Sequence, residues 1–169
     1  PFLDDAYFGR SVVLLCEHSA DGTFGFVLNN YIDIDVRDLV PEIPQPSSRL
    51  SIGGPVKTGN LYYLHTAGDI EGSVKVIDNV HMGGDFDEIK FRLANNLLGL
   101  DQVRFFVGYS GWESGQLEEE LERNSWLVAE MNADEIMKTR HKDLWSGLMK
   151  RQGNDYAPMA NFPKDPALN

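Results

Sequence analysis

The stretch that decides the fold is Val103-Arg104-Phe105-Phe106-Val107-Gly108-Tyr109-Ser110-Gly111-Trp112, followed by Glu113-Ser114-Gly115-Gln116-Leu117. Its first five residues are rich in aromatic and β-branched side chains, which predicts a strand. The two glycines that follow permit backbone angles closed to other residues, which predicts a turn. Leu117 and Leu121, four residues apart, predict a helix after the turn. A strand, a glycine turn and a helix would present Tyr109, Ser110, Trp112 and Gln116 at a sheet edge.

Short strands dominate the chain before this stretch. Residues 12–16 are apolar, which predicts a strand over residues 11–16 that is buried on both faces, and Asp21-Gly22 predicts the turn of a hairpin with residues 24–28. Residues 50–52, 61–65, 74–77 and 80–82 predict four more strands, with a polar turn at residues 58–60. The connections are too short for crossover helices, so the strands should pair mostly antiparallel.

Helical patterns lie mainly in the second half of the chain. Asp85 and Glu88 match a capping box, and one helical face carries Phe86, Ile89, Leu93 and Leu97. Further helices are predicted over residues 134–138 and 141–151, with a strand over residues 125–129. These elements predict an α+β fold with a mostly antiparallel sheet. It forms a single domain over residues 1–153, with the helices concentrated in the C-terminal half, and residues 154–169 form an extended C-terminal tail.

Composition narrows the class of function. The 169 residues suit one core, and 26 acidic against 15 basic side chains give a formal net charge of −11. This charge disfavours direct nucleic-acid binding. A single cysteine, Cys16, suits a reducing compartment, and the longest apolar run is too short to cross a membrane. Because the sequence begins at Pro1, a removed targeting segment stays an open alternative.

Three glycine-containing turns make up the candidate ligand-binding site. The candidates are Gly53, Gly54, Pro55, Gly83, Gly84, Asp85, Tyr109, Gly111 and Gln116. We expect the three turns to converge on one recess next to a helix entrance. The structural alternatives are a strand-exit turn at residues 53–55 and ordinary helix capping at residues 83–85.

Catalytic and metal chemistry have weak support. Ser110 lacks the glycine two residues later that a nucleophile elbow requires, and Cys16 ends an apolar run where a buried thiol is commoner than a reactive one. No two histidines have the spacing of a helical ligand pair. We therefore predict no catalytic residue, no metal and no cofactor.

Several phrases together resemble the AlgH/YqgE family of bacterial proteins. They are Arg10-Ser-Val-Val-Leu-Leu-Cys-Glu-His18, Gly22-Thr-Phe-Gly-Phe-Val-Leu-Asn29, Gly53-Gly-Pro-Val56, Leu61-Tyr-Tyr-Leu-His65, Gly83-Gly-Asp85, Gly108-Tyr-Ser-Gly-Trp112, Gly115-Gln-Leu-Glu118 and Ser125-Trp126. The resemblance implies a cytoplasmic α+β protein, a proposed regulatory role in exopolysaccharide production and no accepted catalytic residues. Ser110 departs from the alanine usual in the family, and the tail after Gly153 lies outside the shared pattern.

Two classes of function follow. The favoured one is a non-catalytic regulatory or interaction protein, a transcriptional regulator that acts through an unknown protein or small-molecule partner. The alternative is an enzyme or metabolite-binding protein with a cleft between the glycine turns. The late helices carry the basic residues Lys138, Arg140, Lys142, Lys150 and Arg151. These could bind an acidic partner, bind a second copy of the chain in a homo-oligomer, or merely keep the helix soluble.

Overall fold

The computed structural model describes residues 5, 7–43, 49–138 and 143–162. The strands are β1 (Val13–Ser19), β2 (Gly22–Val27), β3 (Tyr31–Asp35), β4 (Arg49–Ile52), β5 (Val56–His65), β6 (Ser73–Ile77), β7 (Val80–Gly83) and β8 (Val103–Glu113). The α-helices are α1 (Phe86–Ala94), α2 (Gln116–Glu122), α3 (Ala133–Lys138) and α4 (Leu144–Arg151), and short 3-10 helices occupy Val36–Asp38, Leu100–Gln102 and Ala157–Asn161. The α+β fold with a mostly antiparallel sheet is confirmed.

Strand β8 lies at the centre of the sheet. One edge of β8 pairs with β5 in antiparallel register, from Val103 opposite His65 to Tyr109 opposite Val56. Its other edge pairs with two strands in turn: β4, in parallel, and then β2, antiparallel. The order β1-β2-β8-β5-β7-β6 completes the main path. The predicted hairpins β1–β2 and β6–β7 are both present.

Alternation along β8 divides the apolar interior between the two faces of the sheet. Val103 and Phe105 belong to one buried cluster, which also contains Ile89 and Leu93 of α1. Phe106 belongs to a second cluster on the opposite face, together with Ile136 of α3. Because successive side chains of a strand point to opposite faces, this single strand serves both layers of helices.

The predicted glycine turn at residues 108–111 is wrong, since β8 runs unbroken through both glycines to Glu113. Gly108 adopts a φ of +67°, and a Cβ at this residue would overlap the carbonyl oxygen of Gly54. Glycine inside a strand commonly marks such a local distortion and a close backbone approach. Pairing with β2 and β5 keeps the strand extended, and this long-range effect is invisible in the local sequence.

Other local predictions are also wrong. Strand β1 is an edge strand whose Leu15 is 43% exposed, so residues 11–16 do not form a strand buried on both faces. Residues 125–129 have no regular structure, and residues 58–60 lie inside β5. Helix α1 ends at Ala94, which leaves Leu97 beyond the helix and 66% exposed. Asn96 has a φ of +56°, a left-handed conformation that is typical just after the end of a helix.

Arg104 connects the central strand β8 to helix α3 and to the end of β2. The side chain is 7% exposed and donates to the carbonyl oxygens of Ile136 in α3, at 2.8 Å, and Leu28 after β2, at 2.7 Å. It also donates to the Tyr31 hydroxyl of β3 at 3.0 Å. A planar guanidinium with several donors can join three backbone segments in this way.

The C-terminal region is partly described. Residues 157–161, in the predicted tail, form a 3-10 helix that packs against α4, and the domain boundary at residue 153 stays a prediction. The predicted basic residues Arg140 and Lys142 lie outside the described residues. Within the described ranges, every helix falls short of the length and apolar character that crossing a membrane requires.

Candidate functional site

The structure brings two of the three predicted turns into contact. The turn at Gly53, Gly54 and Pro55 joins β4 to β5 and lies against residues 108–110 of β8. The Gly53 carbonyl oxygen accepts from Val27 N at 2.8 Å and from the buried Ser110 hydroxyl at 3.0 Å. These atoms are therefore used in packing one strand against another.

The turn at Gly83, Gly84 and Asp85 has different neighbours. The Tyr63 hydroxyl donates to the Gly84 carbonyl oxygen, and a Cβ on Gly84 would come within 2.9 Å of the Glu71 carbonyl oxygen. The Asp85 carboxylate caps α1 by accepting from the backbone N–H groups of residues 87 and 88. The capping interpretation is thus confirmed, whereas convergence of all three turns on one ligand stays a prediction.

The remaining candidates lie at the end of β8 and the start of α2. Tyr109 is half-buried and packs on Phe24, with ring centroids 4.9 Å apart, and Gly111 is exposed beside it. Gln116 is exposed, accepts from Glu113 N at 3.0 Å and donates to Glu120 Oε1 at 3.1 Å. Both polar atoms of the Gln116 side chain therefore already have partners within the chain.

A cavity of about 520 Å³ lies elsewhere, on the face of the sheet covered by the late helices. It is bounded by residues 10–15 around β1, residues 125–131, and side chains of α2, α3 and α4. Of the 24 described residues that line it, 19 are apolar. Leu15 and Val128 line the cavity and are 43% and 73% exposed, so the cavity is reachable from solvent. None of the nine predicted site residues lines it.

All three tryptophans of the chain line this cavity. Phe8, Trp112 and Trp126 pack on one another with ring centroids 5.7 to 6.3 Å apart. Glu120 Oε2 accepts from the indole N–H of Trp112 at 3.0 Å and from that of Trp126 at 2.7 Å. The Glu120 carboxylate of α2 therefore fixes the orientation of both indole rings, since the indole N–H of a partly buried tryptophan needs an acceptor.

Replacing Glu120 with alanine should test this arrangement. We expect the free energy of unfolding to fall by about 1–3 kcal/mol, because two indole donors lose a charged acceptor. Glu119→Ala on the same helix is the matched control, since Glu119 is 70% exposed and forms only an i,i+4 pair with Arg123. Urea unfolding followed by circular dichroism measures both variants. Equal stability of the two would contradict the role given to Glu120.

Cys16 is half-buried against the second cluster. Burial raises the pKa of its thiol to about 12, so the reactive thiolate is scarce at pH 8. We expect a disulfide reagent such as DTNB to label the folded protein at least about 100-fold more slowly than the urea-unfolded chain. Comparable labelling rates in the two states would show that the thiol is reactive.

His65 is fully buried and lies beside His81, with ring centroids 6.0 Å apart. Its Nδ1 accepts from Ala67 N, and its Nε2 contacts the Gly83 carbonyl oxygen at 2.8 Å. This pair of contacts fits a neutral ring with the proton on Nε2. Burial, with a smaller contribution from His81, lowers the pKa of His65 below its ordinary value of 6.5.

This lowered pKa predicts a pH dependence of stability. The unfolded chain binds the His65 proton more readily than the folded chain, so the stabilisation is complete above about pH 6.5 and declines as the pH falls below it. The melting temperature should therefore drop between pH 7 and pH 5. In His65→Gln this drop should shrink, whereas in His18→Gln, at a largely exposed histidine, it should stay. An unchanged pH profile in His65→Gln would refute the assignment.

In the part of the chain that the structure describes, no three His, Cys, Asp or Glu side chains are placed to hold an ion. His18 contacts Thr23 Oγ1 at 2.7 Å and Glu118 Oε1 at 3.6 Å, which serves the pairing of β1 with β2 and a contact to α2. The prediction of no metal and no cofactor stays a prediction.

Comparison with known proteins decides the family. The model of the AlgH-like family matches residues 1–157. The chain belongs to the AlgH-like family. A UPF0301 protein of Cytophaga hutchinsonii is 39% identical and covers 100% of this chain and 94% of its own. A UPF0301 protein of Parabacteroides distasonis is 41% identical, over 100% of this chain and 87% of its own.

Two solved structures share the fold of this chain. The crystal structure of protein DIP2367 from Corynebacterium diphtheriae has a TM-score of 0.77 at 27% identity and covers 95% of this chain and 87% of its own. The solution structure of the AlgH protein from Pseudomonas aeruginosa has a TM-score of 0.75 at 24% identity and covers 98% and 90%. The latter likeness concerns the fold alone.

Sequence reasoning missed the cavity of this AlgH-like chain because its lining comes from segments that are far apart in the sequence, between Phe8 and Gln152. A signal was nevertheless present. The sequence predicts Trp112 at a sheet edge, Trp126 in a strand and Trp145 in a helix, which does not bring the three indoles together. Three tryptophans in the last third of an acidic chain could instead have been considered together as possible walls of one site.

Proposed function

We propose that this AlgH-like chain is a non-catalytic regulatory or interaction protein that acts in the cytoplasm through a small-molecule partner bound in the apolar cavity. The observation that carries the proposal is the composition of the cavity wall. Its described polar residues are Arg10, Ser11, Ser125, Glu130 and Gln152. This set contains no histidine, cysteine or lysine, and its one carboxylate, Glu130, is exposed, so the wall is better suited to binding than to general acid–base or nucleophilic catalysis.

The size and access of the cavity support a binding role. Its volume of about 520 Å³ falls in the range of about 300–1,000 Å³ typical of small-molecule sites. Trp112 and Trp126 are oriented by hydrogen bonds to Glu120, so part of the wall is formed before any ligand arrives. A preformed wall lowers the entropy lost on binding.

The charge of the chain supports a partner other than nucleic acid. A net charge of −11 repels phosphate backbones unless basic side chains cluster on one face. A regulatory role would then operate through a ligand-dependent contact with another protein. Binding to duplex DNA measured over a series of salt concentrations tests this point, and tight binding with a steep salt dependence would overturn it.

Thermal unfolding in the presence of ligand panels tests the proposal. The panels are apolar and amphiphilic small molecules, nucleotides and sugar phosphates. A true ligand at about 100 times its Kd should raise the melting temperature by about 5–10 °C, and the effective panel should be the apolar one. Mass spectrometry should then recover that ligand unchanged. Stabilisation by sugar phosphates alone, or conversion of the ligand to a product, would contradict the proposal.

A further inference from the structure

The ionisable groups of the cavity wall indicate the class of ligand. Among its described lining residues, Arg10 is the one basic side chain and Glu130 the one acidic side chain. Glu130 is exposed, whereas Arg10 is half-buried. Water screens an exposed charge more strongly than a half-buried one, so the positive charge of Arg10 acts more strongly on a bound molecule.

Arg10 is held in place at the wall. Its backbone has a φ of +60°, a left-handed conformation that costs a non-glycine residue of order 1 kcal/mol. The guanidinium carbon lies 5.0 Å from the ring centroid of Trp145, and one amino group donates to the Phe162 carbonyl oxygen at 2.7 Å. The guanidinium is therefore fixed beside the indole ring of Trp145, at the cavity wall.

The rest of the wall is suited to a flexible apolar chain. Leu14 of β1, Ile136 of α3, and Leu148 and Met149 of α4 line it together with the tryptophans. Leucine and methionine side chains adapt to the shape of a chain, and each methylene taken out of water contributes about 0.8 kcal/mol.

We infer that the cavity binds a free fatty acid of medium length, with the chain among the apolar side chains and the carboxylate beside Arg10. This inference rests on the proposed function and adds the class of ligand. Charge complementarity with Arg10 distinguishes the carboxylate from a neutral or cationic head. A carboxylate beside a half-buried guanidinium gains a Coulomb attraction that a neutral or cationic head lacks.

Three twelve-carbon probes with different heads test the inference on the full chain: dodecanoate, dodecanol and dodecylamine, each below its micellar concentration. The affinity of each is obtained from the rise in melting temperature and from tryptophan emission. We expect dodecanoate to bind most tightly, and Arg10→Gln to weaken it about ten-fold. Arg37→Gln is the matched control, because it removes the same charge from a residue outside the cavity wall, beside Asp35, and should leave affinity unchanged.

A cavity-filling variant distinguishes failure of the carboxylate inference from failure of the proposed function. Leu148→Phe adds volume inside the cavity and should reduce binding of dodecanoate. This variant provides a second test if Arg10→Gln folds poorly. Equal binding of dodecanol and dodecanoate, both reduced by Leu148→Phe, would overturn the carboxylate inference and leave the cavity as the binding site. No binding of any probe would overturn the proposed function as well. Co-sedimentation with anionic phospholipid vesicles in place of binding to dodecanoate would overturn the free fatty acid.

Discussion

Replacing Gly54 with alanine should destabilise the protein by at least about 4 kcal/mol, a loss large enough to threaten folding. A Cβ on Gly54 would overlap the carbonyl carbon and oxygen of Tyr109 and the amide nitrogen of Ser110. These are backbone atoms of the central strand, which cannot move aside as a flexible side chain can. Removing this overlap would require the turn before β5 to move away from β8. That movement would disturb the pairing of β5 with β8, the most extensive strand pair in the sheet.

Gly59→Ala is the matched control for this prediction. Gly59 lies in β5, and a Cβ on this residue would meet nothing within 4 Å. Its free energy of unfolding should therefore change by less than about 0.5 kcal/mol, or rise slightly because alanine restricts the unfolded chain. Urea unfolding of both variants provides the comparison. A Gly54→Ala protein as stable as Gly59→Ala would show that the close approach to Tyr109 is not required.

Arg104→Lys should be the second most damaging of the predicted changes. We expect a loss of about 2–4 kcal/mol, because a lysine ammonium cannot reach the carbonyl oxygens of Leu28 and Ile136 together, and those acceptors would stay buried. The guanidinium also stacks over the Phe106 ring, with its carbon 5.2 Å from the centroid. Arg123→Lys, at a position 74% exposed, is the control and should change stability by less than about 0.5 kcal/mol.

The position of the urea midpoint decides this second prediction. A shift confined to Arg104→Lys supports the role of Arg104 in holding α3 to the sheet. In Arg104→Lys, amide hydrogen exchange should be accelerated more in α3 than in α1, because α1 packs against the opposite cluster. Equal midpoints for Arg104→Lys and Arg123→Lys would contradict that role.

Features set by neighbouring residues could be predicted from the sequence. Helix α1 begins where Asp85 caps it, and the turn of the first hairpin lies at residues 20–21, next to the predicted Asp21-Gly22. Both depend on side chains and backbone angles within a few residues, where the sequence pattern is informative. The class of fold followed from the number of such hairpins and from the late helical patterns.

Features set by distant residues could not be predicted. Strand β8 continues through Gly108 because β5 and β2 pair with it, and the parallel pair of β4 with β8 has no local signature. Residues 125–131 have the composition of a strand but form an irregular wall of the cavity. Glycine turns can be recognised from a few neighbouring residues, whereas a cavity forms only when several distant segments pack together.

Quenching by 12-bromododecanoate shows directly whether a ligand enters the cavity, because a bromine atom quenches tryptophan emission only at close contact. All three tryptophans line the cavity, so we predict saturable quenching, and quenching that weakens in Leu148→Phe. The same titration of Leu39→Phe, a change at an exposed residue outside the cavity wall, should match the wild type. Unchanged emission from the folded protein, or quenching equal in Leu148→Phe and wild type, would contradict the claim that this cavity is the binding site.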